Sequence, residues 1–113
     1  QSIYREMAAF YETYDVWVTS TLGEPPIVLG SLAYDGSGPI AQRRKQATFS
    51  PYTYISNVTG QPSMTVPLHW NSEDLPIGVH FTSGYGNEGL LFRLANQLEL
   101  AAPWWDRRPP VYA

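Results

Sequence analysis

Prolines and glycines interrupt this chain so often that it can form only short helices and strands. Ten prolines and nine glycines fall within 113 residues. Proline cannot continue the interior of a helix or of a central strand, and glycine weakens both. No apolar run reaches the roughly 18 residues that a membrane-spanning helix needs, and we find no internal repeat. The sequence therefore predicts one small domain, or part of a larger one, that does not span a membrane.

Residues 1–14 have the apolar spacing of a helix, and a short strand follows them. The apolar side chains fall on one stripe, at Ile3, Met7, Phe10, Tyr11 and Tyr14. Residues 16–19 combine β-branched and aromatic types, which favour a pleated surface. Because the helical pattern opens at the first residue, which is Gln and not Met, we expect part of the protein to lie upstream.

Residues 20–47 are predicted to form a long irregular loop. Glycines and prolines recur throughout it, at Gly23, Pro25, Pro26, Gly30, Gly36, Gly38 and Pro39. Such residues break regular structure, and loops longer than about 15 residues in compact domains are often functional. We therefore expect this loop to cover a site built by the rest of the protein. The basic cluster within it, residues 43–45, is predicted to be a solvated part of the loop.

A short helix is predicted over residues 52–58. Ser50 and Pro51 form a typical helix start, because serine caps the free N–H groups and proline gives up a donor that has no partner in the first turn. Gly60 can adopt the left-handed conformation that ends a helix, and Pro62 prevents continuation.

Two strands are predicted next, over residues 63–66 and 77–83, with a polar turn over residues 69–76 between them. Together they suggest an antiparallel hairpin. In the second strand one face would carry Ile77, Val79 and Phe81, and the other Gly78, His80 and Thr82. We expect His80 to be a structural residue, since no convergent set of metal ligands accompanies it.

The last helix is predicted to begin at Asn87 and to end before Pro103. Its apolar face consists of Leu90, Leu91, Leu94, Ala95 and Leu98. After it, residues 103–113 carry three prolines and are predicted to form an extended tail that lies over the surface. Trp104 and Trp105, next to two arginines, are expected to anchor this tail by cation–π stacking.

The order of elements predicts an α/β fold with a mixed sheet of about three strands and helices packed on it. The strand–helix–strand unit implies a crossover between parallel neighbours, and the hairpin adds an antiparallel member. Charged residues make up only 15% of the chain, below the roughly 25% of average soluble domains. Such a chain is expected to bury faces against a missing domain, a second copy or a ligand.

The composition also excludes several kinds of chemistry. The net charge is −3, which argues against nucleic acid as a partner. There are no cysteines, and two histidines eleven positions apart do not complete a metal site. We expect no cofactor and no metal, and in the absence of a visible signal segment we expect a cytoplasmic protein.

Four stretches of the chain resemble the C-terminal part of enzymes of the amidase signature family. They are YDVWVTSTLGEPP at 14–26, FSPYTYISNVTGQPSMTVPLHW at 49–70, LPIGVHFTSGYGNEGLLFRLANQLE at 75–99 and PWWDRRPP at 103–110. The resemblance implies that residues 1–113 are a single C-terminal segment of an α/β/α amidase-signature fold. It also implies a parent enzyme that hydrolyses carbon–nitrogen amide bonds. Ser20 stands where the family usually has proline.

The family's catalytic groups are a nucleophilic serine, a second serine in a cis peptide and a lysine base, and they lie in its N-terminal part. Lys45 is the one lysine of this chain, and no long Gly/Ser-rich segment accompanies it. Because a lysine base needs a nucleophile within hydrogen-bonding reach, we expect no catalytic residue in this chain.

The resemblance places the loop after the first strand and the start of the capped helix near the substrate. It therefore gives four candidate substrate-binding residues, Thr21, Leu22, Phe49 and Tyr52. Ordinary packing is the alternative role for each, since large aromatic side chains usually belong to a core.

Two functional hypotheses follow. In the first, the chain completes the sheet and one pocket wall of an amidase and is inactive alone, so its partners are the N-terminal part of the same amidase and a small amide substrate. In the second, it is a non-catalytic assembly module that pairs with such a piece or with itself as a homo-oligomer. A third possibility is an intact parent that acts on cyclic or aryl amides, since PLHW at 67–70 and PWWDRRPP at 103–110 look most similar to such amidases.

Overall fold

The computed structural model describes residues 2–111. The predicted helix start at Gln1 and the last two residues of the predicted tail lie outside this range. The helices and strands, in chain order, are α1 Ser2–Phe10, β1 Val16–Ser20, α2 Pro39–Phe49, α3 Thr53–Thr59, β2 Ser63–Trp70, β3 Pro76–Ser83 and α4 Glu88–Ala101. Within the described range, every helix is too short or too polar to cross a bilayer.

The three strands form one sheet in which β3 lies between β1 and β2 and is antiparallel to both. The predicted α/β class, the strand number and the hairpin of β2 and β3 are confirmed. The predicted mixed sheet with β1 and β2 as neighbours is wrong. β1 and β2 do run parallel, but the hairpin folds β3 back into the place between them, so every pairing is antiparallel.

β2 extends to Trp70, beyond the predicted end at Val66. The register of β2 on β3 shifts between Pro67 and His69. Proline has no N–H to donate to a ladder and is found at edges and bulges, and Pro67 lies on an edge strand at such an irregularity. A proline therefore marks a bulge here and not the end of the strand.

One face of the sheet forms the hydrophobic core. Val66 of β2 and Phe81 of β3 are buried together with Leu91 of α4. Partly buried apolar side chains surround these three, and they include Val16, Met64, Leu68, Val79, Leu90, Leu94, Leu98 and Trp104. The leucine face predicted for the last helix is confirmed, and α4 is the helix that covers this side of the sheet.

The structure corrects the predicted loop over residues 20–47, because α2 begins at Pro39 within it. Pro39 occupies the first turn of the helix, where its missing N–H costs nothing. Residues 43–45 then lie on this helix and not on a loop. Arginine, lysine, glutamine and alanine all have good helix propensity. Because no residue of α2 is buried, however, the sequence has no apolar stripe from which this helix could be predicted.

Ser50 does not cap α3 as predicted. It is instead the C-cap residue that follows α2, where its N–H donates to Gln46 O. Tyr52 precedes the first turn of α3, and the Ser50 hydroxyl lies 2.7 Å from the Thr53 hydroxyl. The predicted stop at Gly60 is confirmed, with a left-handed φ of 74°.

The described part of the tail, residues 103–111, is irregular but not fully extended. The N–H of Arg107 donates to Trp104 O and closes a turn. The Arg107 guanidinium lies over the Trp70 ring at 4.1 Å from its centroid and 3.9 Å from an Asp74 oxygen. The predicted cation–π anchoring of the tail is therefore present, but the aromatic partner is Trp70 of β2, and Trp104 packs against the core.

Candidate functional site

The sheet face opposite the core is polar. Directly paired residues of antiparallel strands point to the same side, and the register pairs Thr82 with Trp17, and His80 with both Thr19 and Thr65. We call these five residues the polar face.

Gly78 allows two hydroxyl groups to meet at one end of the polar face. Thr21 continues the ladder past β1, since its N–H donates to Gly78 O at 3.0 Å. Its hydroxyl then lies 2.8 Å from the Thr65 hydroxyl of β2. A Cβ on Gly78 would come 2.5 Å from Thr21 Oγ1 and 3.0 Å from Thr65 Cγ2. The two threonines can therefore pair across the central strand only because it has no side chain there.

Helix α3 covers the other end of the polar face. The Ser56 hydroxyl lies 3.4 Å from that of Thr82, which is fully buried. Beside them, the rings of Trp17 and Tyr52 meet edge to face with centroids 6.4 Å apart. The solvent exposure of the polar face therefore increases from the end covered by α3 to the end at the Thr21–Thr65 pair.

His80 lies at the centre of the polar face and is only 4% exposed. Its Nδ1 is 3.4 Å from the Thr19 hydroxyl, which agrees with the structural role predicted for it. Burial lowers the pKa of His80, because desolvation penalises the imidazolium. The neutral ring is therefore the form that the folded chain prefers.

Acid should weaken the fold through His80. The unfolded state binds a proton near the ordinary histidine pKa, whereas the folded state resists it, so stability falls as the pH drops below about 6.5. Replacing His80 with glutamine should flatten the pH dependence of the urea midpoint between pH 7 and 5. H69Q, at an exposed position of β2, is the matched control for the substitution itself. An equal slope in H80Q and the unaltered chain would contradict this assignment.

The four predicted substrate-binding residues lie along one border of the polar face. Thr21 is at its open end and Tyr52 touches Trp17. Phe49 ends α2, and its carbonyl accepts a 2.8 Å bond from Gly23 N–H. Leu22 lies between Thr21 and Gly23 and is partly buried. The loop after β1 and the start of α3 are therefore adjacent, as the prediction requires, while substrate binding by these four side chains stays a prediction.

Trp17, Thr65 and Gly78 belong to this site but were not predicted from the sequence. Two of them could have been predicted, because the alternation of side chains in β1 and β3 puts Trp17 and Gly78 on the same side of the sheet as His80. Their meeting depends on the strand order, which places Thr65 and Thr21 on opposite flanks of β3.

The polar face offers groups that can bind a small molecule. Its hydroxyls both donate and accept hydrogen bonds, and its aromatic rings offer apolar contact. Across residues 2–111, no group of three or more His, Asp or Glu side chains is arranged to hold a metal.

A sequence profile of amidases matches residues 1–92. The chain belongs to the amidase family. Among its relatives is a protein described as an amidase, AmiC of Mycobacterium leprae (strain TN), which is 34% identical over 100 residues, or 88% of this chain. Another is the 6-aminohexanoate-cyclic-dimer hydrolase of Pseudomonas sp. (strain NK87), which is 47% identical over 60 residues, or 53% of this chain.

The amidase likeness extends to the fold. The structure of a 6-aminohexanoate cyclic dimer hydrolase superposes with a TM-score of 0.84 over 95% of this chain, at 29% identity. This chain spans 23% of that hydrolase and 21% of AmiC. It therefore corresponds to about a fifth of the length of these amidases.

Proposed function

We propose that this chain forms the C-terminal sheet and one wall of the substrate pocket of an amidase that cleaves amide carbon–nitrogen bonds. The observation that carries the proposal is the superposition of nearly the whole chain on about a quarter of a cyclic amide hydrolase. As in the sequence analysis, we expect this amidase to be cytoplasmic.

The polar face supports the role of a pocket wall. Binding sites for small molecules are mostly apolar and aromatic, with a few well-placed polar groups. The pair Trp17–Tyr52 supplies rings, and the pair Thr21–Thr65 supplies hydroxyls that can meet both the N–H and the C=O of an amide. Since one relative is named for a cyclic dimer, a cyclic amide is the substrate class that we favour.

We also propose that the serine and lysine groups that break the bond lie outside this chain. A lysine base is usually desolvated and hydrogen-bonded to its nucleophile. The Lys45 side chain is 43% exposed on α2, and its ammonium lies 3.7 Å from an Asp35 oxygen. That environment is a surface ion pair and not a catalytic dyad.

Assay of the purified chain on aryl, linear and cyclic amides tests whether the catalytic groups lie outside it. No turnover above that of buffer is expected, because the proposal places the serine and lysine groups that break the bond outside this chain. Turnover that disappears in Lys45→Ala would contradict the proposal. The paired variant Arg44→Ala removes a neighbouring charge of α2 and separates a specific loss from a general effect of charge.

A second function is favoured by the exposed apolar side chains. Leu29 is 99%, Val28 81% and Phe92 75% exposed, and in the described sheet β1 pairs on one side only. Such edges and patches are typical of surfaces that another chain covers. As an assembly module, the chain would pair with an N-terminal amidase piece or with itself. Light scattering that gives a dimer mass supports self-pairing, and a monomer mass at all concentrations counts against it.

A further inference from the structure

A cavity of about 400 Å³ lies between α2 and the loop that follows β1. This volume is within the range of small-molecule sites. Its walls are formed by Glu24, Ile27, Ser31, Leu32, Lys45 and Thr48. None of these residues belongs to the polar face, so the cavity is a separate feature of the molecule.

The loop is attached to α2 on both sides of the cavity. At one end, Gly23 N–H donates to Phe49 O at 2.8 Å. At the other, the Gln42 side-chain amide donates to Leu32 O at 2.6 Å. Because Gln42, Lys45 and Phe49 are spaced three and four residues apart, they share one side of the helix, and that side faces the loop. These two contacts hold the loop against α2, while the cavity itself stays open to solvent, because Glu24, Ser31, Lys45 and Thr48 are exposed.

The lining combines one acid and one base with an apolar surface. Glu24 contributes a carboxylate, Lys45 an ammonium, and Ile27 and Leu32 contribute partly buried aliphatic side chains. A ligand that matches all of them carries a carboxylate, an ammonium and a stretch of methylene groups. We propose that this cavity binds a linear ω-amino acid, with its carboxylate on Lys45, its ammonium on Glu24 and its methylene chain on Ile27 and Leu32.

Lys45 can accept such a ligand because its present partner holds it weakly. The Lys45–Asp35 pair is 3.7 Å long and about half exposed, and exposed ion pairs contribute little. Asp35 has a partner of its own, since it accepts a 2.9 Å hydrogen bond from Ser37 N–H. A ligand carboxylate therefore competes with a long surface contact and does not leave Asp35 without a hydrogen bond.

The link of this ligand to catalysis rests on the proposed function. When water cleaves a cyclic amide, the hydroxyl adds to the carbonyl carbon, the carbon–nitrogen bond breaks and the proton goes to nitrogen. The ring opens to a chain with a carboxylate at one end and an ammonium at the other. The cavity would therefore hold the product class of the proposed reaction, away from the polar face.

Titration of the purified chain with 6-aminohexanoate, hexanoate and hexylamine, followed by NMR or calorimetry, tests the site. The ω-amino acid should bind at least about tenfold more tightly than either ligand with one charged end, since each charge-assisted bond contributes. Lys45→Met should weaken 6-aminohexanoate about tenfold, whereas Arg44→Met, which removes a neighbouring charge outside the cavity, should not. Asp35→Asn should strengthen binding, because Lys45 loses its competing carboxylate.

Glu24→Gln gives the complementary result. It should reduce the affinity for 6-aminohexanoate to that for hexanoate, whereas Glu73→Gln on the distant turn should have no effect. Equal affinity for the three ligands, or equal losses in Lys45→Met and Arg44→Met, would overturn the proposal. Because these measurements use binding alone, they succeed or fail independently of whether the chain contributes to amide hydrolysis.

Discussion

Replacing Phe81 with alanine should destabilise the chain by about 3–5 kcal/mol. Phe81 is 6% exposed and is one of the three buried apolar side chains at the centre of the described core, with Val66 and Leu91. Domains of this size have total stabilities of roughly 5–15 kcal/mol, so the loss is a large share of the whole. The urea midpoint of the variant, followed by circular dichroism, measures it.

Phe92 is the matched control for this substitution. It has the same side chain on α4 but is 75% exposed, so Phe92→Ala should change the free energy of unfolding by no more than about 0.5 kcal/mol. Equal losses in the two variants would mean that the α4 side of the sheet is not the core. In a complete amidase, Phe92→Ala would reduce the free energy of unfolding if another part of the protein covered Phe92. The same variant therefore reports whether that side chain is covered.

Replacing Gly23 with alanine should cost about 2 kcal/mol, within the range for overpacked sites. A Cβ at this position would overlap the backbone carbonyl oxygen of Thr48 and also meet Pro51. A carbonyl of the main chain cannot rotate away as a side chain can, so the loop must move. The Gly23–Phe49 hydrogen bond would then be lost, and the free energy of unfolding from urea titration would show it.

Gly89→Ala is the comparison, and it should raise the free energy of unfolding, whereas Gly23→Ala should lower it. A Cβ there meets only the end of the Arg93 side chain, at 3.5 Å. Since alanine restricts the unfolded chain more than glycine, a gain of about 0.5 kcal/mol is expected. If Gly23→Ala is as stable as the unaltered chain, the contact between the loop and α2 is not as described.

Much of the fold could be predicted where a pattern is local and repeated. Four leucines of α4 recur at helical spacing and pack on the core, namely Leu90, Leu91, Leu94 and Leu98. Gly60 ends α3 because a left-handed residue is needed there. The alternation in β3 separated Phe81 from His80 and placed them on the correct opposite faces.

The failures have two causes, the lack of a buried face on α2 and pairing between strands far apart in sequence. α2 was missed because none of its residues is buried and Pro39 is as typical of a helix start as of a loop. The place of β3 between β1 and β2 depends on contacts far apart in sequence, such as Val16 with Ser83. For the same reason no local pattern could bring Thr21 and Thr65 together over Gly78.

The most direct test of the central claim is a chimaera in which this chain replaces the corresponding part of a 6-aminohexanoate-cyclic-dimer hydrolase. Hydrolysis of the cyclic dimer should be retained, because the proposed function places the catalytic groups in the part that is kept. Trp17→Ala in the chimaera should raise KM more than it lowers kcat, as expected for a pocket wall. Loss of hydrolysis in a folded chimaera, or Trp17→Ala kinetics identical to those of the unaltered chimaera, would contradict the account.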